Sequence, residues 1–197
     1  MSSFNSDGKI NNIAFTGEAG HGKSTAAQYL TQNKNYVELM FAKKLKDMII
    51  DLFGIDEKYV YDPNFKNEII PELNTTGRKL CQVIGTELFR NALMKEIPEL
   101  KLKGETVWIH NIAKQMEKLP KNQKIVISDC RFEDEYDFLK QKRFDMIRVR
   151  NPNLKNDDKN KINGIKHESE LGCSYDGTLL NNRTKEDMYE KLDNILK

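Results

Sequence analysis

Two rhythms of apolar residues alternate along the chain. Short runs bounded by polar residues occur at Asn12–Thr16, Tyr36–Phe41, Ile125–Asp129, Asp145–Arg150 and Gly177–Asn182, and each reads as a strand. Between them the apolar positions recur every three or four residues. Leu45, Met48, Ile49, Leu52 and Phe53 mark a helix over Ala42–Phe53, with Gly54 as its stop. Leu80, Ile84 and Leu88 mark another over Arg78–Met94. Val107, Trp108, Ile112, Met116 and Leu119 mark a third over Glu105–Leu119. Ser24–Leu30 and Glu133–Lys142 are read the same way. A final helix buries Met188, Leu192, Ile195 and Leu196, and Thr184–Asp187 resembles a capping box at its start. Strands and helices in alternation predict an α/β fold. The expected architecture is three-layered, with a five-stranded parallel sheet flanked by helices and Asn12–Thr16 as the central strand.

Two stretches break the rhythm. Ile55–Thr76 holds Pro63, Pro71 and many Asn and Asp residues, so a loop with short helical pieces is expected. Asn153–Lys166 is polar and lysine-rich, and a long polar insert inside a domain is either disordered or a lid. A length of 197 residues suggests one domain, with 54–120 as a substrate region and 151–170 as the lid-like insert. Met1–Lys9 is polar, has no apolar signal region and reads as a disordered lead-in.

The charge balance narrows the partners. Thirty-two basic and 30 acidic residues leave a net charge of +2, which gives no electrostatic case for nucleic acid or a membrane surface. Cys81, Cys130 and Cys173 are isolated and no C-x-x-C occurs, so neither a disulfide framework nor a zinc site is expected, and a cytoplasmic, reducing setting is.

Candidate chemistry starts at Gly17-Glu18-Ala19-Gly20-His21-Gly22-Lys23-Ser24, which fits the P-loop spacing G-x-x-x-x-G-K-S. Its context is right: an apolar strand enters and a helix leaves. Glycines permit the tight turn and close backbone approach. The freed N–H groups and the helix N-terminus make an anion site for phosphates. Lys23 supplies a point charge to the β- and γ-phosphates, and the Ser24 hydroxyl suits Mg²⁺.

A second signal is Asp129, at the carboxyl end of an apolar strand where α/β sheets bind ligands. It could enter an Mg²⁺ shell, with Arg131 projecting into the same crevice; the plainer alternative is a helix-capping acid beside a surface arginine. Arg78, Gln82, Thr86 and Arg90 lie four residues apart and drift by about 40° per step round an α-helix. Such a strip is either a solvated face or the lining of a phosphate cleft. Trp108, the single tryptophan, is either a core residue or a base-stacking surface. His167 reads as a surface residue.

No N-K-x-D string occurs, which argues against a GTPase, and the chain is short for a motor or helicase. The blocks Phe41-Ala42-Lys43-Lys44-Leu45-Lys46, Arg78 to Arg90 with Gly85-Thr86-Glu87, Trp108, Asp129-Cys130-Arg131-Phe132, His167-Glu168-Ser169-Glu170 and Leu180-Asn181-Asn182 occur in that order. Together they resemble the deoxynucleoside monophosphate kinases of bacteriophages and large DNA viruses, over most of the chain from Ile13 to Ile195. The resemblance implies transfer of the γ-phosphoryl group of ATP, with Mg²⁺, to a deoxynucleoside 5′-monophosphate. It assigns Gly17, Gly20, His21, Gly22, Lys23, Ser24 and Thr25 to the ATP phosphates, with Arg148 and Arg150 bordering the lid and donor site. It sets Lys23, Asp129 and Arg131 at the reaction centre and Ser24 and Asp129 at the metal. Lys46, Arg78, Gln82, Thr86, Glu87, Arg90, Trp108 and Arg131 become the acceptor site, and a homodimer stays open. Asp134 stands where the family commonly has Asn, and Arg183 where Gly is common. Two competing readings are a phosphomevalonate-type small-molecule kinase and a non-catalytic ATP-binding regulator.

Overall fold

The computed structural model describes residues 11–154, 161–162, 165–170 and 172–196. The expected lead-in Met1–Lys9 and part of the lid-like insert lie outside the described residues. In chain order the main elements are β1 (Asn12–Thr16), α1 (Lys23–Asn33), β2 (Tyr36–Leu39), α2 (Lys43–Phe53), α3 (Lys58–Tyr61), β3 (Ile69–Ile70), β4 (Thr75–Thr76) and α4 (Gly77–Gln82). A π-helical segment, Val83–Ala92, continues α4 and runs into α5 (Leu93–Glu96). Then come α6 (Val107–Glu117), β5 (Lys124–Ile127), α7 (Glu133–Gln141), β6 (Phe144–Arg150), the short pair β7 (Lys161–Ile162) and β8 (Ile165–Lys166), β9 (Gly177–Leu180) and α8 (Lys185–Ile195). Among the described residues no helix is long and apolar enough to cross a membrane.

The chain divides into two compact units, one made of Met1–Met40 with Gln115–Lys197 and the other of Phe41–Lys114. The first contains a five-stranded parallel sheet in the order β2-β5-β1-β6-β9. The expected strands all form, and β1 is central. Its register sets Ile13 beside Val126 on one side and Asp145 on the other. A parallel sheet must be covered on both faces, which explains the almost continuously apolar β1. Phe15, Ala27, Leu30, Val126, Ile147, Leu179 and Leu192 form one buried cluster of this unit. Burying a side chain such as Leu30 or Phe15 contributes roughly 1.5–3 kcal/mol. At α8, the Thr184 side chain accepts the Asp187 N–H, so the cap read from the sequence is made.

The second unit is helical, and its core joins Leu45, Ile49, Ile55, Val60, Ile70 and Ile84. The stretch read as a loop contains a helical turn, as expected, and also the antiparallel pair β3–β4, with Ile70 opposite Thr75. Two-residue strands leave too little alternation to register in the sequence. The helix expected over Arg78–Met94 is present, but its centre winds as a π-helix. At Gly85 a Cβ would meet Leu45 Cδ2 on α2, so a larger residue here would require that side chain to shift.

Candidate active site

The candidate phosphate cradle is built from backbone. Gly17, Gly20 and Gly22 have φ of 121°, 83° and 106°, where L side chains are strained. A Cβ on Gly17 would also come within 2.6 Å of the Val149 carbonyl oxygen. Gly22 opens α1 and no side chain caps the helix there. A helix start of this kind, with its N–H groups and the positive end of its dipole, suits a phosphate. Lys23 is 8% exposed, and its Nζ donates to Gly17 O at 2.6 Å and to Glu18 O at 2.7 Å. Ser24 is exposed and Thr25 half-buried at the start of α1.

His21 ties this loop to the strand ends behind it. Its Nδ1 accepts the Asn151 N–H at 3.2 Å, and its carbonyl accepts from Asn181 Nδ2 at 3.0 Å. Burial holds the imidazole below its ordinary pKa, and the charges of Lys23, Arg148 and Arg150 push the same way against the opposing pull of Glu18. Both arginines thus lie near enough for their charges to be felt at His21. The Arg148 guanidinium lies 5.4 Å from the Tyr175 ring centre, and Arg150 is exposed.

Asp129 follows β5, at the end of the sheet from which the P-loop also leaves β1. Beside it is Glu38 on β2, whose carboxyl burial pushes upward in pKa; the Ser128 hydroxyl opposes that shift and the Asp129 charge adds to it. Sequence reasoning passed over Glu38, although an acid inside the apolar run Tyr36–Phe41 was a visible signal. Arg131 is half-buried and its Nη1 donates to Ser169 O at 2.9 Å. Its backbone N–H, with that of Phe132, donates to Glu135 Oε2 at 2.9 and 3.3 Å. Glu135 is only 2% exposed and fixes the turn that carries Arg131, a role its sequence position in α7 did not advertise. His167 is half-buried rather than superficial, its Nδ1 accepting the Ser169 N–H at 3.2 Å.

The remaining expected residues belong to the second unit. Arg78, Gln82, Thr86 and Arg90 lie on one continuous helical run. Four residues overshoot an α-turn but fall short of a π-turn, whose bonds run i→i+5. The change of winding after Gln82 therefore turns back the drift of the strip. Arg78 Nε donates to Asn67 Oδ1 at 2.7 Å. Thr86 is buried and Glu87 exposed. Gln82 is 6% exposed, and neither polar atom of its carboxamide has a hydrogen-bond partner among the described residues. Trp108 is half-buried, with Nε1 donating to Gly85 O at 2.8 Å and its ring tilted against Phe89 at 5.5 Å. The Lys46 ammonium lies 4.6 Å from the Tyr61 ring centre, and the Tyr61 hydroxyl donates to Asp47 at 2.7 Å. That bond, ahead of the nearby Lys43, holds the Asp47 carboxyl below the usual carboxylate range.

The donor set can be tested against the groups a phosphoryl transfer needs. Glycine loop, uncapped helix start and Lys23 suit a polyphosphate. Among the described residues no group of three or more His, Cys, Asp or Glu is placed to hold a metal ion. A hydroxyl such as that of Ser24 and a carboxylate such as that of Asp129 are donor types that suit Mg²⁺, which keeps waters and shares phosphate oxygens instead of demanding a protein cage.

No family model matches the chain. It is 32% identical over 190 residues to a protein of Acanthamoeba polyphaga mimivirus named "Putative deoxynucleotide monophosphate kinase", covering 91% of this chain and 93% of the relative. Likeness of that degree over nearly the full length of both chains, joined to the P-loop and parallel sheet, shows that this chain belongs to the deoxynucleotide monophosphate kinase family.

Proposed function

We propose that this kinase transfers the γ-phosphoryl group of ATP to a deoxynucleoside 5′-monophosphate. The single observation that carries the acceptor assignment is the Gln82 carboxamide, buried with both polar atoms unpartnered among the described residues. A buried polar group without a partner costs roughly 1–3 kcal/mol, so it calls for a ligand. A carboxamide presents one acceptor beside one donor, which matches adjacent groups on a nucleobase edge. Phosphomevalonate has no such edge.

In this reading Lys23 exchanges the Gly17 and Glu18 carbonyls for phosphate oxygens. The loop N–H groups and those of the first turn of α1 orient the chain of phosphates. Ser24 and Asp129 would hold Mg²⁺, which when bound would supply positive charge to the phosphates. Arg78 and Arg90 grip the acceptor phosphate, since a guanidinium fork matches phosphate bidentately. An acceptor phosphate oxygen attacks the γ-phosphorus while the bond to the β–γ bridging oxygen breaks, and ADP leaves with that electron pair. Arg131 donates to the equatorial oxygens as their charge rearranges. The acceptor oxygen is already ionised, so no general base is needed.

The experiment is ADP release with ATP and Mg²⁺ across the four deoxynucleoside monophosphates, their ribose forms and phosphomevalonate. Turnover with deoxynucleotides, and a raised acceptor KM in Gln82→Ala, are expected. Turnover with phosphomevalonate alone, or ATP binding with no turnover on any acceptor, overturns the reading.

A further inference from the structure

Cys130 and Cys173 are 43 positions apart in sequence, yet their Sγ atoms approach to 3.4 Å. Neither has a part in phosphoryl transfer. Cys130 is fully buried between Asp129 and Arg131. Cys173 is half-buried and its thiol donates to Thr16 Oγ1 at 3.3 Å, on the residue that immediately precedes Gly17. We infer that Cys130 and Cys173 are a reversible dithiol–disulfide site, closed by a peroxide or a small-molecule disulfide and reopened by a thiol reductant.

The geometry supports this in three ways. First, a disulfide needs the sulfurs at about 2.05 Å, so closure asks for a movement of little more than 1 Å. Second, the surrounding chain is already held in register for it. Ser174 N donates to Glu133 Oε1 at 2.9 Å, and Arg131 Nη1 donates to Ser169 O, on either side of the sulfur pair. Third, the two thiols differ in access. The partly exposed Cys173 meets an oxidant first and the buried Cys130 resolves the product. A hydrogen bond from Cys130 favours the Cys173 thiolate, in the same direction.

The chemistry balances with a peroxide as oxidant. The Cys173 sulfur attacks one peroxide oxygen and becomes a sulfenic acid as the O–O bond breaks and the first water leaves. The Cys130 sulfur then attacks the sulfenic sulfur, the S–O bond breaks, and its hydroxyl leaves as a second water with the Cys130 proton. Two thiols have lost two electrons and two protons, and one peroxide has become two waters. With a small-molecule disulfide, exchange through a mixed disulfide gives the same protein product and two released thiols.

Closure fastens the segment carrying Ser169 and Cys173 to the turn between Asp129 and Arg131. If Arg131 acts at the reaction centre, as the proposed function has it, this restraint holds its guanidinium at Ser169 O and lowers turnover. A misplacement on the scale of 1 Å there is worth roughly a hundredfold. The site itself does not depend on that reading.

The test uses the full chain, with the half-buried Cys81 as an internal control. Purified protein is treated with hydrogen peroxide, alkylated and digested. One linked peptide containing Cys130 and Cys173 is expected, with a loss of about 2 Da and with Cys81 still alkylated. The link should vanish in Cys173→Ser and after dithiothreitol. Both cysteines alkylated, or Cys173 driven to sulfinic acid without a linked peptide, overturns the site. Turnover should fall roughly tenfold or more on closure and return with dithiothreitol. An equal fall in wild type and Cys173→Ser overturns the restraint on Arg131. If the reduced protein turns over no acceptor, the proposed function has failed, and the peptide map still decides the disulfide.

Discussion

In the proposed function the two compact units recognise by different means. In the unit containing the parallel sheet, the candidate site is made mainly of backbone. Three glycines in left-handed conformation, an uncapped helix start and one lysine lie within a single short loop and the helix it opens. In the helical unit the candidate site is made of side chains spread from Lys46 to Trp108. A phosphate is the same on every nucleotide, so a fixed backbone loop can serve it. A base must be told from others, and that takes individual donors and acceptors with set orientations.

Substitutions should separate the two modes. Lys23→Ala should have the largest effect, lowering kcat by at least about 10²–10³, because it removes charge at the phosphates. Normal turnover in that variant would undo the contrast at once. Arg131→Ala should lower kcat by about a hundredfold with little change in acceptor KM. A change in KM alone would move Arg131 from the reaction to binding.

In the helical unit the same kind of change should read out as affinity and stability. Trp108→Ala removes the Nε1 bond to Gly85 and the packing on Phe89, and should cost about 3 kcal/mol in urea unfolding. A loss confined to acceptor binding, at about 1–3 kcal/mol, would instead make its ring a stacking surface. Gln82→Met should act with opposite signs. Replacing an unpartnered buried carboxamide by an apolar side chain of similar volume should stabilise the free protein by about 1 kcal/mol while weakening the acceptor. A variant that is both less stable and unchanged in acceptor KM would return Gln82 to the scaffold.

The smallest effect is expected from His21. Burial depresses its folded-state pKa below 6.5, so the neutral ring is favoured by folding. Its contribution is complete above about pH 6.5 and is lost as pH falls through the lowered value. An NMR titration of the ring should show that depressed midpoint, and ATP should raise it by placing phosphate charge beside it. A midpoint at or above 6.5 in the free protein would remove the burial argument.

The sheet was legible because period and punctuation agreed. Every strand of the five is a short apolar run, and Gly17–Ser24 is contiguous. The proposed site in the helical unit is legible only by resemblance. The strip Arg78–Gln82–Thr86–Arg90 looks like any polar helix face until the burial of Gln82 is known. The π-winding left one trace, Gly85 inside a helical run, and a lone glycine there does not by itself specify a change of winding. Glu135 was hidden among the acids that open α7, since nothing in Glu133-Asp134-Glu135 marks which one turns inward. The contact of Cys130 with Cys173 joins positions 43 apart in sequence, which no local pattern encodes.

The central place of β1 has a consequence for how the chain is born. This strand is synthesised before the other strands of its sheet, yet both its neighbours arrive late: Asn12 Oδ1 accepts from Ile125 N, 113 positions on. At about 5–20 residues per second, its apolar edges wait roughly 5–25 s for their partners. Phe41–Lys114 emerges inside that interval with its own apolar cluster, and can condense while the older strand is still unpaired. Nascent β1 is thus the point at which a holdase would act, and slowed translation before Lys124 would prolong its exposure to aggregation.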